Sequence, residues 1–261
     1  MSTAAFEQRL AEAGRELETK LIGRTILFAP SVESTNTVVL ESGPGLDAGT
    51  VIVADAQTGG RGRHGRRWFS PAGRNLYFSI ALRPDSLRAQ LRLLPLAAGL
   101  AAVEAIEHVV GITAALKWPN DVIWNGRKLG GVLCENRAGA LAVGVGLNVN
   151  LQPQELPPEL AAEAVSLQIA TGRDWPREQI FLAYLRAFEP HYDALCAGTT
   201  APLLAAIRQR SCTLGQRVSA QVGKLWILGT AIEIADSGDL VVKRDDGGRA
   251  TLAAGEVTHI R

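Results

Sequence analysis

Residues 59–68 read Gly-Gly-Arg-Gly-Arg-His-Gly-Arg-Arg-Trp, so four arginines, one histidine and four glycines fall within ten positions. Packing does not call for such a segment. Glycines let backbone N–H groups converge on an anion, and arginine forks donate bidentately to phosphate or carboxylate oxygens. Gly60, Gly62 and Gly65 also satisfy GxGxxG. A dinucleotide site, however, needs a helix immediately afterwards, and Trp68-Phe69-Ser70-Pro71-Ala72-Gly73 offers none. A nucleic-acid patch or a solvated basic loop remain as alternatives for the segment taken alone.

A second segment, Lys117-Trp118-Pro119-Asn120-Asp121, puts a lysine at the end of an expected buried strand. An ammonium there needs an anionic partner, either a ligand or Asp121. Gly130-Gly131 lie inside one expected strand, and Gly144 and Gly146, with Asn148, in the next. Strand glycines mark close approach of a ligand or backbone, or else a bulge or tight packing. Together these residues describe an enzyme or binder for an anionic, phosphate-bearing ligand.

The elements that must position them follow from periodicity. Phe6, Leu10, Leu17 and Leu21 predict one peripheral helix capped by Ser2 or Thr3 and ended by Gly23. Strands are expected at 25–28, 50–54 and 75–82, with a short helix from Ser34 to Leu40 and a main core helix over 91–110. Strands at 114–118, 122–124, 128–135 and 141–149 predict a meander, with Asn125-Gly126 as its hairpin turn. Helical patterns follow at 161–170, 176–197 and 201–210, and from Cys212 short alternating strands at 217–222, 226–234, 240–244 and 249–253 predict a small β-barrel.

At 261 residues, 47% hydrophobic and 20% charged, the chain reads as a globular protein of one large and one small domain, divided at 211/212. Its 27 basic and 26 acidic residues leave a net charge of +1, so no overall field holds it to nucleic acid or membrane. In the barrel, Arg217, Lys224, Lys243, Arg244, Arg249 and Arg261 are offset by Glu233, Asp236, Asp239, Asp245, Asp246 and Glu256. Cys134, Cys196 and Cys212 lack CxxC spacing and read as buried free thiols. The N-terminal charges and the lack of a long apolar run point to the cytoplasm.

Ser34-Thr35-Asn36, Gln57, the loop 59–68, Asn75-Leu76-Tyr77, and the segments 117–122, 128–135 and 144–150 occur in an order that resembles the biotin–protein ligases. The resemblance covers about residues 25–261. It implies an α/β (α+β) fold: a mixed sheet with helices of the class II synthetase-like kind over 1–211, then an SH3-like barrel over 212–261. It also implies an ATP-dependent, AMP-forming activation of biotin to biotinoyl-AMP and transfer to a lysine of a biotin carboxyl carrier protein, from acetyl-CoA carboxylase or a related carboxylase.

Carried onto this chain, the resemblance places biotin's ureido ring near Ser34, Thr35, Asn36 and Gln57, whose hydroxyls and amides suit its donors and acceptor. Gly130 and Gly131 join the biotin site. Arg61, Gly62, Arg63 and Lys117 lie where biotin's carboxylate meets the adenylate phosphate, and Lys117 and Arg63 carry the catalytic role. Gly60, His64, Arg66, Trp68, Asn120 and Asn148 complete the adenylate set. Mg²⁺ is expected with the triphosphate, with Asp121 as its protein contact. His64 departs from the arginine or other basic residue usual in the family. The short segment before Thr25 leaves no room for a winged helix-turn-helix, so DNA binding is not expected, and a homodimer is among the assemblies the resemblance allows. The nearest rival is a lipoate or octanoate ligase or transferase; a non-catalytic nucleic-acid-binding module is the rival from another class.

Overall fold

The computed structural model describes residues 2–87, 90–222, 225–253 and 255–259; Lys224 and Arg261, counted above among the barrel cations, lie outside them. Among the described residues, a seven-stranded mixed sheet runs in the order β1-β2-β3-β7-β6-β5-β4. Its strands are β1 (Ile26–Val32), β2 (Val51–Gln57), β3 (Leu76–Leu82), β4 (Ala115–Lys117), β5 (Asp121–Trp124), β6 (Arg127–Arg137) and β7 (Ala140–Leu147). Only β1 and β2 are parallel neighbours, Ile26 facing Val51 and Val32 facing Gln57. The rest are antiparallel, and β4 to β7 form the expected meander. Asn125 and Gly126 both take positive φ, 46° and 75°, as a two-residue hairpin of the type I′ kind requires.

The helices are α1 (Thr3–Gly14), α2 (Thr35–Ser42), α3 (Leu94–Val110), α4 (Leu167–Thr171), α5 (Arg177–Ala197) and α6 (Ala201–Arg210). Helix α3 is apolar almost all round: Leu94 to Val103, together with Ala105 and Ile106, is buried apart from Pro95, because the helix lies between the sheet and α5. In front of it, Phe78 on β3 packs edge-on against Phe181 and Tyr184 of α5 at 5.1 and 4.9 Å.

Three expectations are corrected. Helix α1 stops at Gly14, so Leu17 and Leu21 are not on it, and it is not peripheral, since Phe6 and Leu10 are buried in the main core. Ser2 does cap it, accepting from the Ala5 amide. The helix expected over 161–170 shrinks to α4, because the chain at 163–165 is held by β6: the Lys128 amide donates to the Glu163 carbonyl at 2.6 Å and the Val165 amide to the Lys128 carbonyl at 2.9 Å. Cys196 is exposed and the other two thiols are partly buried.

After α6, a five-stranded antiparallel sheet, β11-β10-β9-β8-β12, is consistent with an SH3-like domain. It comprises β8 (Arg217–Val222), β9 (Leu225–Ile234), β10 (Leu240–Arg244), β11 (Arg249–Leu252) and β12 (Glu256–His259), the last of which was not foreseen. Contacts run across 211/212. The Cys212 amide donates to the Leu116 carbonyl at 2.8 Å, the Trp118 amide donates to the Thr213 hydroxyl, and its indole N–H donates to the Gly238 carbonyl, both at 2.9 Å. Val218, Ala231 and Leu240 belong to the same apolar core as α3. No described helix is long and apolar enough to cross a membrane.

Candidate active site

A cleft of about 690 Å³ opens over the sheet where β1 and β2 end and β5 to β7 pass beneath, a size that suits a small-molecule site. Its walls include Ser34, Thr35, Asn36 and Gln57 at one end. The first three residues of that set open α2, and Gln57 ends β2 beside them because β1 and β2 are parallel and their C-terminal ends coincide. The Gln57 Oε1 accepts from the Thr35 amide at 2.9 Å and so caps α2, while the Ser34 hydroxyl makes no capping bond. The Gln57 Nε2 donates to Ser70 Oγ at 3.0 Å. Beneath, the buried Ser79 hydroxyl lies 2.7 Å from Thr35 Oγ1 and 2.6 Å from Asn36 Oδ1. Asn36 Nδ2 donates to the Leu133 carbonyl at 3.0 Å and to Glu135 Oε2 at 2.7 Å. This end is neutral, almost fully buried and internally hydrogen-bonded.

The next stretch is cationic. The loop 59–68 doubles back on itself: Arg61 and Arg67 bridge, the Gly62 amide donates to the Arg66 carbonyl at 2.7 Å, and His64 and Gly65 turn the chain with φ of 56° and 74°. Histidine tolerates that left-handed conformation better than a branched residue would. The Arg63 Nη1 donates to Asn120 Oδ1 at 3.3 Å and to the Gly255 carbonyl at 3.1 Å, which ties the loop to the segment leading into β12.

Lys117 sits at the end of β4, next to a cis Trp118–Pro119 bond, and its side chain makes no hydrogen bond or ion pair among the described residues. Asp121, the protein partner weighed against a ligand, instead binds Lys128 at 2.7 Å. Lys128 in turn stands 5.4 Å from the centre of the Trp68 ring. Burial first, and the Lys117 charge second, lower the pKa of His259, so this neighbour does not compete for an anion as a second cation at neutral pH.

The strand glycines have separate explanations. A Cβ on Gly144 would overlap the Asn36 amide, and one on Gly146 would come within 2.6 Å of the Trp68 indole, so both make room for side chains of the site. Gly131 lines the cleft beside Lys128 and Asp121. Gly130 does not line it: its missing side chain leaves space for Leu147 and the Gly146 carbonyl. Gly60 is likewise off the wall, hemmed in by Ser70, the Trp68 carbonyl and Gln57. Arg61, Gly62, Arg63, His64, Arg66 and Trp68 all line the cleft, as do Lys117, Asn120, Asp121 and Asn148.

Residues 28–151 match the Biotin/lipoate A/B protein ligase family. The biotin--[acetyl-CoA-carboxylase] ligase of Mycobacterium tuberculosis is 36% identical over 261 residues, covering 95% of each chain. The bifunctional ligase/repressor of Bacillus subtilis is 34% identical over 88% of this chain and 73% of its own. The biotin protein ligase of Aquifex aeolicus, solved in complex with biotin and ATP, superimposes with a TM-score of 0.83 at 33% identity, covering 91% of this chain and 99% of the other. The chain belongs to the biotin/lipoate A/B protein ligase family.

Two walls of the family cleft escaped the sequence reading. One is apolar: Leu151, Leu156 and Leu160, in and beside the proline-rich stretch 152–159 to which no element was assigned, with Ala164 from the stretch expected to be helical. Its signal was there, in leucines spaced along a segment too proline-rich for a helix. The other is Gly255, Val257 and Thr258 around the unforeseen β12, for which sequence gave no pointer to the cleft. Outside the cleft wall, Asn75 supports it, accepting from the Val149 amide at 3.0 Å and donating to Asn148 Oδ1 at 3.3 Å.

Proposed function

We propose that this family member activates biotin with ATP and transfers the biotinoyl group to a lysine of a biotin carboxyl carrier domain, that of an acetyl-CoA carboxylase or a related carboxylase. The observation that carries this reading is the adjacency of a neutral hydrogen-bonded end to a cationic stretch in one cleft. A ureido ring needs donors and an acceptor without net charge, and its carboxylate needs cations at the other end. Lipoate offers no such polar ring, so the neutral end favours biotin over the lipoate reading.

In the first step a biotin carboxylate oxygen bonds to the α-phosphorus of ATP, and the bond to the β-phosphate oxygen breaks to release pyrophosphate. Both reactants are anions. Lys117, with no anionic partner among the described residues, and the loop's backbone N–H groups hold them together and stabilise the charge that builds on phosphorus. In the second step the lysine amine attacks the anhydride carbonyl carbon, AMP leaves with the C–O electron pair, and the amine proton passes to solvent. Arg63, linked to Asn120 and to the Gly255 carbonyl, closes the loop over the intermediate between the two steps.

Magnesium enters as MgATP. Among the described residues no three His, Cys, Asp or Glu side chains converge on one point, and Asp121 is engaged by Lys128, so the protein's ligands suit an ion carried by the phosphates. The apolar wall of Leu151, Leu156 and Leu160 suits the adenine face. The test is incubation with biotin or lipoate, MgATP and a biotin carboxyl carrier domain, followed by mass measurement. A mass gain with biotin alone is expected. No gain with biotin, or a gain with lipoate, overturns the reading.

A further inference from the structure

Glu135 ends the 128–135 segment without a role assigned to it and does not line the cleft, yet two cleft residues converge on one of its oxygens. Its Oε2 accepts from Asn36 Nδ2 at 2.7 Å and from Arg61 Nη2 at 2.9 Å. Arg61 Nη1 donates to Thr37 Oγ1 at 2.6 Å, so both terminal nitrogens of this guanidinium are committed to the protein. Resting on the biotin reading above, we propose that Glu135 is the positioning residue of the ring-binding end. It fixes which way the Asn36 amide faces, and it holds Arg61 as a strut between the loop and α2.

An asparagine amide presents a donor on one side and an acceptor on the other, and its orientation follows from its neighbours. The Leu133 carbonyl and the Glu135 carboxylate only accept, so together they take both N–H bonds of Asn36. Oδ1 is thereby turned toward Ser79 and the strand at Gly144, where it can accept from a ring N–H. Gly144 supplies the space and Glu135 the direction. The same carboxylate neutralises Arg61, so the positive charge facing the reacting anions comes from other cleft residues, Lys117 among them. The Arg61–Glu135 pair is about one-third exposed on both sides, so its contribution to overall stability is small and its effect is local.

The experiment is calorimetric titration of biotin, without nucleotide, into the parent chain, Glu135→Gln and Glu135→Asp. It is accompanied by thermal melts and by the KM for ATP in biotin-dependent pyrophosphate release. Glu135→Gln, which can offer an amide N–H where an acceptor is required, should weaken biotin binding about tenfold to a hundredfold. The KM for ATP should stay within about twofold and the melting temperature should hold, as expected for a half-exposed pair. Glu135→Asp keeps the charge and should fall between the two; it carries the test by itself should the glutamine variant not fold. Unchanged biotin affinity in a folded variant overturns the proposal, as does equal weakening of biotin and ATP with a lowered melting temperature. A parent chain that does not bind biotin overturns the underlying reading instead.

Discussion

The two ends of the cleft are built on opposite plans. At the ring end Gln57, Ser79 and Asn36 are already answered within the protein: Gln57 by Thr35 and Ser70, Ser79 by Thr35 and Asn36, and Asn36 by the Leu133 carbonyl and Glu135. At the other end the Lys117 side chain has no such answer among the described residues, and the loop that faces it is rich in arginine. A neutral ring is recognised by groups already fixed in place, where little ordering remains to be done on binding. Two anions are joined instead by charge, that of the Lys117 side chain first, which forms no ion pair among the described residues.

The largest effect should come from removing the unmatched charge. Lys117→Ala is expected to lower biotin-dependent pyrophosphate release by about a hundredfold to a thousandfold, the scale for losing one preorganised group at developing charge. Because the Lys117 side chain forms no hydrogen bond or ion pair among the described residues, the melting temperature should not move. A folded variant with near-parental release breaks the contrast between the ends.

Exchanging strand glycines separates the ends more finely. Gly144→Ala pushes on Asn36 and should weaken biotin itself by tenfold or more, whereas Gly146→Ala pushes on Trp68 and should raise the KM for ATP first. Each should cost about 1–3 kcal/mol of stability through overpacking, read from denaturant melts. Matching effects on both ligands in both variants would show that the two ends are one mechanical unit.

Arg63→Gly should release biotinoyl-AMP faster by about tenfold to a hundredfold, the loss of one charge-assisted contact, even where the adenylate still forms. A filter-binding chase with radiolabelled biotin reads this directly; an unchanged off-rate leaves retention to Lys117 and the loop backbone. The smallest effect is on the loop itself. Trypsin should cut within residues 60–67 more slowly once biotin and ATP are bound, and equal rates in both states would make the loop a fixed wall.

Much of this was legible beforehand because it lies in short local patterns. Asn125-Gly126 fixed a hairpin, the alternation from Ala114 to Val149 fixed a meander, and the arginine–glycine loop with Lys117 marked the cationic end. What was hidden depends on distant pairing. Asp121 sits four residues from Lys117 yet binds Lys128, across the hairpin, because β5 and β6 are antiparallel neighbours. Gly130 and Gly144 looked alike in sequence, and only register shows that one admits a neighbouring leucine and the other a ring-end amide. Glu135 lies at the end of the 128–135 segment, but its role was hidden because its partners lie 99 and 74 residues away.

Behind the ring end, two residues before Gln57, Asp55 is fully buried against Arg177 at 2.7 Å. The Thr3 hydroxyl of α1 and the Gly73 amide also bind it, and Phe6 lies under the guanidinium at 3.7 Å. Burial would raise the Asp55 carboxyl, but these partners outweigh it and hold it below its ordinary value of 3.8. A carboxylate depressed in the folded chain adds stability above that value, and the contribution is lost as pH falls through the folded pKa. Acid therefore reaches this cleft from the rear. Protonating one aspartate loosens the N-terminal helix and the strand that carries Gln57 together, while every arginine and lysine at the mouth keeps its charge.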